Sequence, residues 1–369
     1  MEVAGDSTYI TPSTYNRYQE LRDFDESKSG VKGLFDSGLA KIPRIFVRPA
    51  EEIARDQSKS RATGLQIPII SLENLAVNRP GTVAQVLEAA REVGFFQVLN
   101  HGIPQSILEG TFVAARAFHE LPKEVKAEYY GREGKRRVKF SCNFNLYKSR
   151  HAHWRDTWVC HMEPEPLDPA ELPLVCRDAI MEYSKRMKVL ATILLELLSE
   201  ALGLKPDYLV NMDCAKGHAL LYHYAPACPE PNLTLATRHH SDPDFFTILL
   251  QDDTGGLQVY YRDQWVDVPP VAGALVVNIG DLLQLMSNNI FKSVEHRVLS
   301  KDVGPRLSIA CFFALYEDPT SKVYGPIKEL VSKDRPALYR EITLGEFMTH
   351  YYSKGLDGQS ALAPFRLPS

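Results

Sequence analysis

The chain has 369 residues, 44% hydrophobic and 24% charged, with a formal net charge of −4. These are ordinary globular values, so wholesale disorder is excluded, and a mildly acidic balance gives no electrostatic footing for nucleic acid or an anionic membrane. No run approaches the ~18 apolar residues of a membrane span, and Met1 to Ser7 carries neither a basic nor an apolar signal region.

Six cysteines, at 142, 160, 176, 214, 228 and 311, form no CxxC pair. They read as reduced thiols of a cytoplasmic protein rather than a disulfide framework. Residues 1–66 read as a polar extension with a helix over Tyr15–Glu26, a glycine-punctuated stretch to Gly38 and an extended Pro43–Pro49. Ile67–Leu72 reads as a short edge strand because of Pro68. Val83, Val86, Leu87 and Ala90 mark a helix over Thr82–Val93 that Gly94 stops, and Phe95–Leu99 is a strand before a turn. His101, in that turn, is expected to bond backbone rather than metal.

Two helices follow, over 104–118 and 122–130, then a basic loop over 132–139 whose Lys135-Arg136-Arg137 run reads as solvated. Phe140–Tyr147 and Trp154–Trp158 alternate as strands. His151, His153 and His161 lack a carboxylate partner, so no second metal is expected there. Leu172–Leu202 carries a broad apolar face and stops at Gly203, which predicts a scaffold helix across a sheet. From Ala219 onward short strands alternate with Gly, Pro and Asp turns, the pattern of a double-sheet jelly roll. A helix near Leu344–Tyr352 is expected to form a flap over its mouth.

Thr237 to Ser308 carries the chemistry. His240 and Asp242, two apart, would share a face of an extended strand, with His239 and Ser241 turned away. His296, much further on, completes two imidazoles and a carboxylate, a set that favours non-haem Fe(II) with open positions. Zinc suits the same donors. Taken singly, both histidines read better as core residues and Asp242-Pro243 as a turn; it is their combination with Arg306-x-Ser308 that favours a metal site. Arg306 with Ser308 on the same strand face is a receptor for a carboxylate, because a guanidinium grips one with two parallel bonds and stays charged.

These residues resemble the Fe(II)/2-oxoglutarate-dependent dioxygenases of plants, in the branch of the 1-aminocyclopropane-1-carboxylate oxidase homologues. Three further runs carry the resemblance: Phe24–Leu34, Gly94–Pro104 and Asn278–Asn288. It implies a mixed fold with a mainly β core, a double-stranded β-helix (jelly roll) flanked by α-helices. The implied divisions are an extension over 1–66, a helical/strand domain over 67–210, the jelly-roll core over 211–318 and a helical flap over 319–369. The resemblance also implies Fe(II) on His240, Asp242 and His296, 2-oxoglutarate on Arg306 and Ser308, O2 as oxidant, ascorbate as reductant, and hydroxylation with release of succinate and CO2. An ascorbate-dependent oxidase, or a silent binding protein on the same fold, are the alternatives. Phe144 and Tyr147, with Phe312 on the Arg306 strand face, are expected to border an apolar or aromatic substrate such as an alkaloid, benzoxazinoid, phenolic or hormone.

One departure stands out. Ala225 occupies a position where relatives often carry a tyrosine that helps hold 2-oxoglutarate. Losing one hydrogen bond to a carboxylate costs roughly 1.5–3 kcal/mol, so the expectation is weaker cosubstrate binding or compensation from Tyr222, with Tyr224 turned away.

Overall fold

The structure, a computed structural model, describes residues 15–58, 65–132, 136–314, 322–354 and 360–368. Its centre is two facing sheets. Twelve strands build them: β1 (Ile69–Ser71), β2 (Phe95–Leu99), β3 (Val138–Ser141), β4 (Asp156–Glu163), β5 (His218–Ala225), β6 (Leu235–His240), β7 (Phe246–Gln251), β8 (Leu257–Tyr261), β9 (Gln264–Asp267), β10 (Leu275–Ile279), β11 (His296–Leu299) and β12 (Arg306–Phe313). The large sheet runs β1-β2-β10-β7-β12-β5-β4-β3 and the small one β6-β11-β8-β9. Only the β1–β2 pair among these strands is parallel. This is the jelly roll the turn-punctuated strands predict, and strands from both sides of residue 210 join one sheet.

Alternation sorts the large sheet into two faces. Trp158, Tyr222, Ile309 and Cys311 point outward into the main apolar cluster. Val159, Leu221, His223, Arg306, Ser308 and Phe312 point inward and line a cavity. Outside, the helix Gln105–His119 lies against β5 and β12, and the long helix Arg177–Ala201 packs on it and on the helix Arg79–Glu92. The long helix buries Ile180, Tyr183, Met187, Leu190, Leu194 and Leu198 in that cluster, one side chain per turn of its inner stripe.

Several expectations shift. Phe140–Tyr147 is not one strand: β3 ends at Ser141, because Asn143 adopts a φ of +50 and its side-chain Oδ1 accepts from the backbone N–H of His153. Pro43–Pro49 contains a single 3-10 turn at Arg44–Phe46, closed by Phe46 N–H on Pro43 O. The stretch before Gly38 contains a helix, Gly30–Asp36, whose first N–H groups are held by Asp156: Val31 N and Lys32 N donate to its carboxylate at 2.7 and 2.9 Å. Gly30 is obligatory there. Its φ is +67, and a Cβ would stand 2.4 Å from Asp156 Oδ1. In the basic loop Arg136 and Arg137 donate to backbone carbonyls rather than to solvent alone, while Lys135 lies outside the described residues.

Candidate metal and cosubstrate site

The strand carrying the first candidate ligand ends at that residue. β6 stops at His240, and Ser241–Phe245 crosses from the small sheet to the large one, where β7 begins. His240 and Asp242 are therefore not two residues of one strand. They meet because a bulge re-aims the first and a turn re-aims the second. In the β6–β11 pair, His240 faces His296 and Thr237 faces Val298, so Arg238 and His239 together oppose Arg297. That extra residue lets His240 and Thr237 both line the cavity. His239 is turned outward, towards Glu295 and Trp265.

His240 Nε2 and His296 Nε2 lie 3.4 and 3.6 Å from Asp242 Oδ1. The three donor atoms lie within 4.8 Å of one another, the one such group among the described residues. His151, His153 and His161 make no comparable cluster. His101 behaves as its turn predicts: Nε2 meets Gly273 O at 3.1 Å, and Nδ1 accepts from Ile103 N.

Each candidate ligand is fastened from behind. His240 Nδ1 meets Arg238 O at 2.8 Å and His296 Nδ1 meets Val294 O at 3.3 Å, contacts that select the tautomer with its proton on Nδ1 and its lone pair on Nε2. Asp242 Oδ2 accepts from Thr247 Oγ1 at 2.7 Å and Asn278 Nδ2 at 2.8 Å, while the buried Oδ1 has no hydrogen-bond partner. Burial alone would raise the Asp242 carboxyl, but the His296 and His240 imidazoles hold it well below the usual carboxylate range. Burial pulls His296 down to about 4, so it is neutral and able to ligate. Two bare imidazole nitrogens and an orphaned carboxylate oxygen converging on one point fit a divalent ion.

Arg306 stands in the wall of the same cavity. Its Nε donates to Gly255 O at 2.7 Å, Nη1 to Ser308 Oγ at 2.7 Å and Nη2 to Gln251 Oε1 at 3.1 Å. Burial lowers it to about 10, so it stays charged at neutral pH. His223, between these groups, is held neutral by burial and by Arg155 and Arg306, and its Nδ1 meets Thr157 Oγ1 at 3.1 Å. Ala225 is paired directly with Arg306 across the β5–β12 ladder and lines the cavity.

Compensation from Tyr222 fails on geometry. Tyr222 packs on Trp158 on the outer face, and Tyr224 stacks on His119. Phe144 and Phe312 line the cavity. Tyr147 does not: its hydroxyl donates to Asp25 at 2.9 Å, because the chain turns after β3 instead of continuing as a strand. Tyr351 and Tyr352, from the C-terminal helix Leu344–Lys354, complete the wall, and Tyr351 reaches Ser241 O at 3.4 Å. Sequence reasoning also missed Thr247, Asn278, Gln251 and Arg155.

With this fold and this wall, the chain belongs to the 2OG-Fe(II) oxygenase superfamily. The model of that family matches residues 216–315, and a model described as non-haem dioxygenase in morphine synthesis N-terminal matches residues 67–179. The protein is a 2-oxoglutarate-dependent dioxygenase, an oxidoreductase working with Fe(II), 2-oxoglutarate and O2, with ascorbate the reductant typical of its branch. Its sequence is 48% identical over 355 residues to 1-aminocyclopropane-1-carboxylate oxidase homolog 6 of Arabidopsis thaliana, spanning 96% of this chain and 99% of that one. It is 47% identical over 365 residues to deacetoxyvindoline 4-hydroxylase of Catharanthus roseus, spanning 97% and 91%. Among solved structures, JOX2 in complex with 2OG, Fe and JA superposes with a TM-score of 0.80 at 32% identity, covering 92% of this chain and 98% of that one. Among the described residues no helix is long and apolar enough to cross a membrane.

Proposed function

We propose that His240, Asp242 and His296 hold Fe(II), that Arg306 with Ser308 takes the far carboxylate of 2-oxoglutarate, and that the protein hydroxylates a small, largely apolar or aromatic plant metabolite. The observation carrying this reading is that the three candidate ligands and the guanidinium line one cavity of about 440 Å³, from the two facing sheets and the crossover between them. The bound iron supplies the C–H oxidation: one oxygen atom of O2 goes to the substrate and the other to succinate, with CO2 released. The chain's own part is to bind, orient and exclude water. Leu221, Leu249 and Phe312 give the cavity its apolar lining, and Phe144 meets Tyr352 edge-on at 5.9 Å across its mouth. A relative named as a 4-hydroxylase supports hydroxylation as the outcome. The reading extends to a monomer in the cytoplasm; six buried cysteines that are all free support the compartment.

The test is turnover of an alkaloid, phenolic, benzoxazinoid and hormone panel with Fe(II), 2-oxoglutarate and ascorbate. The expected result is one metabolite gaining a single oxygen with matching succinate. Product formed without succinate would replace this reading with an ascorbate-dependent oxidase. A His240→Ala variant converting substrate as well as the parent would remove the metal assignment.

A further inference from the structure

Arg155 is a cation inside the cavity that the reaction above leaves unused. It precedes β4, and its level in the sheet is set on both sides. Trp154 Nε1 donates to Pro226 O at 3.1 Å, and Asp156 pairs with Tyr224. Arg155, between them, therefore lies beside Ala225, which is itself paired with Arg306. The order across the sheet is guanidinium, methyl, guanidinium, with roughly 10 Å between the two outer backbones, since adjacent strands lie about 4.8 Å apart.

Asp156 points away to hold the helix Gly30–Asp36, so Arg155 points into the cavity. It crosses to the small sheet, where Nη1 donates to the Thr237 hydroxyl. Its Nε is buried without a hydrogen-bond partner. Among the described residues no carboxylate is paired with it, and Arg306 likewise has only neutral acceptors. Two desolvated cations facing one space, with Asp242 and Asp252 acting on them only from a distance and no carboxylate bonded to either, are costly, and a carboxylate placed there would relieve both. A methyl at position 225 leaves that space open.

We propose that Arg155 is a second guanidinium of the 2-oxoglutarate site, gripping the far carboxylate from the side of Ala225 opposite Arg306. The proposal rests on the reading that this cavity takes 2-oxoglutarate. It makes residue 225 a shared gap: a small residue there admits the guanidinium, and a tyrosine would put a phenol hydroxyl in the same place.

Binding of two keto acids to anaerobic Fe(II)-loaded protein and, by calorimetry, to Mn(II)-loaded protein tests this. Arg155→Met is expected to weaken 2-oxoglutarate by about 10- to 100-fold. It should change 2-oxobutanoate, which lacks the far carboxylate, by less than about twofold. Adding Ala225→Tyr to Arg155→Met is expected to recover most of the loss. Unchanged 2-oxoglutarate affinity in Arg155→Met overturns the proposal, as does equal weakening of both keto acids, which marks a merely structural role. A double variant no better than Arg155→Met overturns the placement at residue 225. Should the Met variant not fold, Arg155→Lys keeps the charge without the fork, and the same contrast between the two acids is read on it. Failure of the underlying reading looks different: Arg306→Met would then bind 2-oxoglutarate like the parent, or the parent would not bind it.

Discussion

At one end of the cavity His240, Asp242 and His296 are each fastened from behind, by two backbone carbonyls and by Thr247 and Asn278. At the other end Arg306 and Arg155 are held only by neutral groups: Gly255, Ser308 and Gln251 for the first, Thr237 for the second. The difference is one of tolerance. A metal needs its donors fixed to fractions of an ångström before it arrives, whereas a carboxylate completes its own site when it pairs with a desolvated guanidinium. The metal end is built of preorganised geometry and the carboxylate end of unspent charge.

Breaking the metal end should cost most. His240→Ala is expected to take substrate oxidation to background, read as product and succinate together. Next comes the carboxylate end. Arg306→Met should raise half-saturation by 2-oxoglutarate by about two decades, since each charge-assisted hydrogen bond is worth roughly 1.5–3 kcal/mol, with Fe(II) binding unchanged. Removing the fastening rather than a ligand sharpens the contrast. Asn278→Ala deletes the 2.8 Å bond to Asp242 Oδ2, and should weaken metal binding by about 10-fold, within the range for partners behind a ligand, while leaving Arg306 unaffected.

Two smaller effects concern how the start of β4, next to Arg155, is anchored. Gly30→Ala would force a Cβ to within 2.4 Å of Asp156 Oδ1 at a φ of +67. It should cost about 1–3 kcal/mol of stability in denaturant unfolding. Burial, outweighing the two amide bonds, pushes the Asp156 carboxyl up to about 6, against about 3.9 in an unfolded chain. The folded protein therefore holds this proton more tightly. Its contribution is fully present below about pH 3.9 and fades as pH rises to about 6. Asp156→Asn should remove that slope from the unfolding midpoints.

The sequence made residue types and their spacing legible: His240, Asp242, His296 and Arg306 with Ser308 all line one cavity. The local reason was less legible, because a bulge at Arg238–His239 and a change of sheet after His240 do what a continuous strand was expected to do. Helices of several turns, such as Arg177–Ala201, announce themselves by period. Tyr147 was misplaced because alternation over Phe140–Tyr147 hides the left-handed Asn143. Arg155, Thr237 and Gln251 could not be read at all. Their roles depend on which strands are neighbours, and the order β7-β12-β5-β4 is not the order of the chain.

Anaerobic titration of the protein with Fe(II) and then 2-oxoglutarate, watching the weak visible charge-transfer band, tests the central claim most directly. The account predicts a saturable band in the parent, none in His240→Ala, and one displaced to far higher 2-oxoglutarate in Arg306→Met. A band of equal strength and midpoint in all three would contradict it.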